Sequence, residues 1–308
     1  MRVAVDAMGG DVGPSVVVPG SLQVLSDPAY PNLTIQFYGK GEAIEPLLAG
    51  LDAEQRARVS VHHTDVEITM EDSAAMAVRR KPTSSIALAL KAIKSGEADA
   101  VMSLGNSGAI MAGALGILGR VRGVDRPALV TILPTLKGRT IMLDLGAIVD
   151  PRPQYLVQFA QMATAYGKTS LGLQNPRVAL LSNGEEPGKG NELVQQVYPL
   201  LAAAPDLNFI GNCEGKELLR GDIEIVVTDG FTGNVALKSM EGTMSVLNEV
   251  LREEMTRTFP RKMAALFLKP AFRGARKRLD YEEIGGAPLL GVNGTVIVGH
   301  GRSTAYTT

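Results

Sequence analysis

Short apolar runs alternate with longer amphipathic stretches along this chain. Arg2–Val5, Leu33–Tyr38, Val59–Val61, Ala98–Ser103, Pro127–Leu133, Thr140–Leu145, Arg177–Leu181, Asn208–Gly211, Ile223–Thr228 and Thr295–Val298 are brief and mostly aliphatic, the pattern of buried strands. Apolar residues at helical spacing lie between them: Val16 to Leu25 behind Pro14, then Ile44 to Leu48, Ile86–Lys94, Ala109–Leu118, Tyr155–Tyr166 and a stretch through Leu200. Met70–Val78 reads as helical by composition, ended by Arg79-Arg80-Lys81. Strand–helix alternation predicts an α/β fold, layered α/β/α on a mostly parallel sheet. No repeat or linker interrupts it, so residues 1–308 read as one compact catalytic unit, with two lobes as the variant.

Ile223–Gly242 concentrates the chemistry. A strand is broken by Asp229-Gly230, and Thr232-Gly233-Asn234 opens a helix through Val235, Leu237, Met240, Met244 and Leu247. A helix N-terminus after a glycine turn offers N–H groups to an anion, although an ordinary βα turn has the same pattern. Similar turns recur at Gly9-Gly10, Gly105/Gly108, Gly146, Gly184 and Gly291/Gly294, in the company of Asn106, Ser107, Asn183, Asn191 and Asn293. In a parallel sheet such turns converge on one edge, where amides hold phosphate and a cation such as Lys189 neutralises it.

Neither a Walker A motif nor G-x-G-x-x-G is present, and G-x-S-x-G and H-E-x-x-H are missing too. Asp6, Asp11, Asp144 and Asp229 are scattered and read as turn caps, so no metal and no cofactor is expected. His62 and His63 read as surface or packing residues; His300 stands better placed, at a strand end, where a lone histidine is usually structural and a substrate contact is the alternative. Arg79-Arg80-Lys81, followed by Pro82–Ser85, is either a helix-dipole complement or the lining of an anion cleft.

The 31 basic and 32 acidic side chains imply no nucleic-acid partner, and a single cysteine, Cys213, suits a reducing cytosol. No apolar run approaches a membrane span, and the opening MRVAVDAMGG is too short for a signal peptide. From Arg252 to Arg278, however, nine cations stand among Met255, Phe259, Met263, Leu266, Phe267, Leu268 and Phe272. Pro260 and Pro270 divide this stretch, within a basic and apolar arm over 247–281, into short helical pieces. An apolar stripe packed in a dimer, an interfacial hairpin on anionic lipid and a landing site for an acidic protein all fit it. Leu266, Phe267, Arg261, Lys262 and Arg273 are its candidate membrane or carrier contacts.

The motifs VDAMGGD (5–11), SLGNSGA (103–109), GRVRGVDRPAL (119–129), GEEPGKGNEL (184–193), GNCEGKELL (211–219), DGFTGNVALK (229–238) and GAPLLGVNGTVIVGHG (286–301) closely resemble those of the PlsX family. These are acyl-acyl carrier protein:phosphate acyltransferases of bacterial phospholipid synthesis. The resemblance implies transfer of a fatty acyl group from acyl carrier protein to inorganic phosphate, on a fold like isocitrate and isopropylmalate dehydrogenases with a protruding helical hairpin. It implies a homodimer, cytoplasmic and peripheral to the inner face of the cell membrane, with a downstream acyl-phosphate-using acyltransferase as a further partner. By the same resemblance Lys189 and Asn234 contact phosphate and thioester, with Asp229 and His300 beside them. Asp6, Gly9, Gly10, Gly105, Asn106, Ser107, Asn183 and Gly233 complete the substrate and phosphate site. Three departures stand out: Ile148 replaces an asparagine of the family's D-x-G-A-N-x-D motif, Ser182-Asn183 replaces Asn-Ile, and the family generally continues past the position of Thr308. A small-acyl phosphate transferase using coenzyme A and a non-catalytic lipid-enzyme scaffold are the alternative functions. A decarboxylating dehydrogenase on the related fold lacks its carboxylate cluster and nucleotide site.

Overall fold

The aliphatic runs form strands wherever the chain can bury them on both sides. In this computed structural model, residues 1–279 and 286–299 are described. The N-terminal part contains β1 (Arg2–Asp6), α1 (Pro14–Gln23), β2 (Thr34–Gly39), α2 (Gly41–Ile44), α3 (Ala53–Ala57), β3 (Val59–His63), α4 (Ala74–Arg80), α5 (Ser85–Ser95), β4 (Ala100–Ser103) and α6 (Ser107–Ile117). There follow β5 (Ala128–Pro134), β6 (Arg139–Leu143), α7 (Pro153–Ser170), β7 (Arg177–Leu181), α8 (Glu192–Ala202), β8 (Asn208–Cys213) and β9 (Ile225–Val227). The long helices α9 (Gly230–Thr256) and α10 (Phe259–Leu279) precede the closing strands β10 (Ala287–Leu290) and β11 (Thr295–Val298).

Two compact units result: one from Met1–Pro127 with β10 and β11, the other from Ala128 through α10. In the first, the strand order is β3-β2-β1-β4-β11-β10, parallel except for the β10–β11 hairpin. Helix α5 packs on β1 and β2. Val5, Ala7, Val17, Val18, Ile35, Phe37, Ile44 and Leu104 fill a shared core. In the second, the order is β5-β6-β9-β7-β8, parallel except for β5–β6. Leu133, Met142, Leu145, Ala179, Leu181, Cys213 and Val226 form its core. Both units are α/β with mostly parallel strands and flanking helices, so the C-terminal strand ends of each unit stand side by side.

Four local readings are corrected. Helix α4 starts at Ala74, not Met70, because Asp72 accepts the Thr69 N–H (2.8 Å) and closes a turn there. The strand expected over Ile223–Thr228 shortens to β9. Strand β10 was not anticipated; it pairs antiparallel with β11. Pro270 does not end a helix but lies inside the 21-residue α10, while Pro260 sits in its first turn, where no N–H is needed. The arm is therefore two long helices, α10 packing along α9.

Candidate functional site

Asp6 and Ser103, register partners at the ends of β1 and β4, begin the polar edge of the first unit. Both are buried, and the Ser103 hydroxyl donates to Asp6 Oδ2 at 2.6 Å. Desolvation raises the Asp6 carboxyl above its usual range, against the hydrogen bond from Ser103 that favours the ionised form. Gly9 belongs to the turn after β1, and a Cβ there would stand 2.7 Å from the Gly105 nitrogen. Gly10, the next residue, takes a positive φ of 87°. Asn106 caps α6: its Oδ1 accepts the Ala109 N–H (3.1 Å) and its Nδ2 donates to the Asp72 carbonyl (3.2 Å). Its side chain is thus occupied. The N–H groups of Asn106, Ser107 and Gly108, and the exposed Ser107 hydroxyl, have no acceptor or partner among the described residues. Such a nest suits a tetrahedral oxyanion.

The equivalent edge of the second unit follows β6, β9 and β7, whose ends are in register at Leu143, Val227 and Leu180. Asp144 is fully buried, with Oδ1 accepting the N–H of Leu129 (3.0 Å), Leu145 (2.7 Å) and Ala147 (3.2 Å), and Oδ2 that of Ile148 (2.7 Å). Burial outweighs these donors and pushes its pKa up to about 6. Asp229 caps α9, accepting the Thr232 N–H at 2.8 Å, and so orients the turn. Gly230 N–H donates to the Ile148 carbonyl (2.9 Å) and Gly233 N–H to the Asp229 carbonyl (2.9 Å). Among the first four N–H groups of α9, Phe231 alone therefore lacks an acceptor among the described residues. The helix end itself is less open to an anion than the sequence implied.

What remains free here is the side chains. Asn234 is exposed, its Cβ 3.9 Å from where a Cβ on Gly146 would stand. Lys189 is exposed, its stem lying against Gly184. Neither side chain has a hydrogen-bond or ion-pair partner among the described residues. Asn183, by contrast, accepts the Gly190 N–H (2.9 Å), and Asn191 caps α8. The departure at Ile148 removes an amide side chain but leaves its backbone held at both ends, by Asp144 and by Gly230.

Other sequence candidates divide clearly. Lys81 is spent on Asp72 (2.7 Å) and the Glu67 carbonyl (3.0 Å), while Arg79 and Arg80 are exposed. His62 stacks on Tyr38 with ring centroids 4.6 Å apart. His63 Nδ1 accepts the Gly41 N–H (3.1 Å), which leaves the proton of a neutral ring on the nitrogen facing Asp65. Glu42, His63 and Asp65 could offer ligand atoms within 4.8 Å of one another, all exposed. Cys213 is buried and pushed up to about 12, far from a thiolate nucleophile. His300 lies outside the described residues. Sequence reasoning missed Ser103, 97 residues from its partner Asp6.

The family model for fatty acid synthesis proteins matches residues 1–308. The chain belongs to the PlsX family. It is 46% identical over 303 residues to a phosphate acyltransferase of Anaeromyxobacter sp. (strain Fw109-5), covering 98% of this chain and 83% of that relative. It is also 46% identical over 305 residues to a phosphate acyltransferase of Heliobacterium modesticaldum, covering 99% and 90%. Among solved structures, a phosphotransacetylase from Streptococcus pyogenes superposes with a TM-score of 0.64 at 17% identity, covering 100% of this chain and 90% of that one. A 4-hydroxythreonine-4-phosphate dehydrogenase from Klebsiella pneumoniae gives 0.54 at 13% identity, covering 99% and 93%. At such identities the likeness is one of fold. PlsX membership places the chain among acyltransferases, on a fold shared with phosphotransacetylases and dehydrogenases.

Proposed function

We propose that this PlsX chain transfers a fatty acyl group from the thioester of acyl carrier protein to inorganic phosphate, an early step of phospholipid synthesis. One observation carries the reading: Lys189, on the turn after β7, and Asn234, near the start of α9, are exposed and have no side-chain partner among the described residues, whereas the neighbouring polar side chains Asp144, Asn183, Asn191 and Asp229 serve the backbone. A phosphate oxygen attacks the thioester carbonyl carbon, the carbon–sulfur bond breaks, and the carrier thiol leaves with a proton from solvent. Phosphate is itself the nucleophile, so positioning and charge stabilisation are what the protein must supply. The Lys189 ammonium neutralises charge, and the Asn234 amide donates to the thioester oxygen as it becomes an oxyanion. Within the first unit taken by itself, the N–H groups of Asn106, Ser107 and Gly108, open among the described residues, suit the oxygens of a phosphate. Because phosphate brings its own negative charge and no redox step occurs, the reaction requires no cofactor.

The arm extends the reading to partners. Phe267 is 82% and Phe259 77% exposed, and Leu266 and Leu268 are also exposed. Among the described residues no helix is long and apolar enough to cross a membrane. An amphipathic pair with Arg261, Lys262 and Arg273 suits an anionic bilayer surface at the inner face of the cell membrane, and the same cations suit an acidic carrier. A homodimer and a downstream enzyme using the acyl phosphate belong to this proposal.

The test is incubation of the chain with palmitoyl-acyl carrier protein and phosphate, with hydroxylamine trapping of acyl phosphate. Product is expected with the carrier thioester in large excess over palmitoyl-coenzyme A. Preference for a short acyl-coenzyme A would replace this reading by a small-acyl transferase, and no product from any donor by a scaffold.

A further inference from the structure

The turn after β4 is held by a residue with no free group for a ligand. Ser103, the last residue of β4, is 1% exposed. Its hydroxyl donates to Asp6 Oδ2 (2.6 Å) and accepts the Gly105 N–H (3.1 Å), so one oxygen joins the end of β1 to the peptide that opens the turn. The Ser103 carbonyl is taken as well, by the Gly299 N–H at 2.9 Å. Gly9 closes the arrangement from the other side, where even a Cβ would strike the Gly105 nitrogen. The second oxygen of Asp6 is buried with no hydrogen-bond partner among the described residues, so Ser103 is a principal polar anchor of that carboxyl.

We infer that Ser103 is a positioning residue for phosphate: it fixes Gly105 so that the open N–H groups of Asn106, Ser107 and Gly108 keep one arrangement before the anion arrives. This rests on the reading of that turn as a phosphate site. Several N–H donors bind one oxyanion tightly only when their directions are set in advance, since otherwise binding must order a glycine-containing loop. Without the hydroxyl, the Gly105 N–H loses its acceptor and the turn its tether to β1. Asn106 fixes the far side of the same turn through Ala109, and Ser103 fixes the near side.

Full-length wild type, Ser103→Ala and Ser103→Thr are titrated with inorganic phosphate by calorimetry, and the steady-state constants for phosphate and palmitoyl-acyl carrier protein are measured separately. Ser103→Ala is expected to weaken phosphate binding and raise the phosphate KM about tenfold, the worth of one well-placed hydrogen bond. The carrier KM and kcat at saturating phosphate should hold, and Ser103→Thr, which keeps the hydroxyl, should recover most of the phosphate affinity. Unchanged phosphate affinity in Ser103→Ala overturns the inference. So does a parallel loss for both substrates with a fall in Tm, which marks a purely structural serine. A wild type that binds phosphate yet makes no acyl phosphate sinks the catalytic reading alone, because the calorimetric comparison still decides the role of Ser103. A wild type that binds no phosphate ends both.

Discussion

Gly233 lies against the backbone of Asp144 so closely that a Cβ on it would stand 2.0 Å from the Asp144 carbonyl oxygen. The first turn of α9 is therefore set down on the loop after β6, and the Gly230 N–H bond to Ile148 fastens the same contact. Asn234 takes its place from that seating.

Gly233→Ala is expected to lift the helix start or bend the loop, costing about 3 kcal/mol, the upper range for overpacking a tight core. Thermal melting measures the stability, and turnover should fall by more than the loss of folded protein explains. A variant with wild-type Tm and rate would contradict this seating.

Asp144 gives a pH signature. Its folded pKa of about 6 is above the ordinary carboxylate value, so the folded chain binds a proton that the unfolded chain releases. This contribution to stability is complete below the unfolded pKa of 3.8 and is lost as the pH rises through about 6. Asp144→Asn should flatten that slope in denaturant titrations between pH 4 and 7. At pH 7.5, where the ionised carboxylate accepts all four N–H groups, the same variant should cost about 1–3 kcal/mol, since an amide NH2 then faces a donor.

The arm carries a separate prediction. Leu266→Glu with Phe267→Glu should abolish co-sedimentation with liposomes containing anionic lipid while leaving Tm unchanged, because both side chains are exposed. Undiminished binding would assign the exposed stripe to protein contacts instead.

The strands were legible because each is an aliphatic run bounded by turn residues, and all ten expected strands form. The helical arm was misread at Pro270, where a lost N–H bond on an exposed face is tolerated when α9 lies alongside. The polar turns were legible as a set but not by role. Composition cannot distinguish Asn106 and Asp229, consumed in capping, from Asn234, whose side chain has no partner among the described residues. That distinction depends on which backbone N–H lies within reach. The Asp6–Ser103 pair needed the β1–β4 register, which no local pattern encodes.

The central claim is that Asn234 acts on the substrate and not on the fold. Acyl phosphate formation from palmitoyl-acyl carrier protein and phosphate, followed for the wild type and Asn234→Ala beside their melting curves, tests it most directly. The account predicts ready product from the wild type and a rate on the order of 100-fold lower in the variant, the usual worth of one oxyanion donor, at the same Tm. Near-equal rates would contradict it.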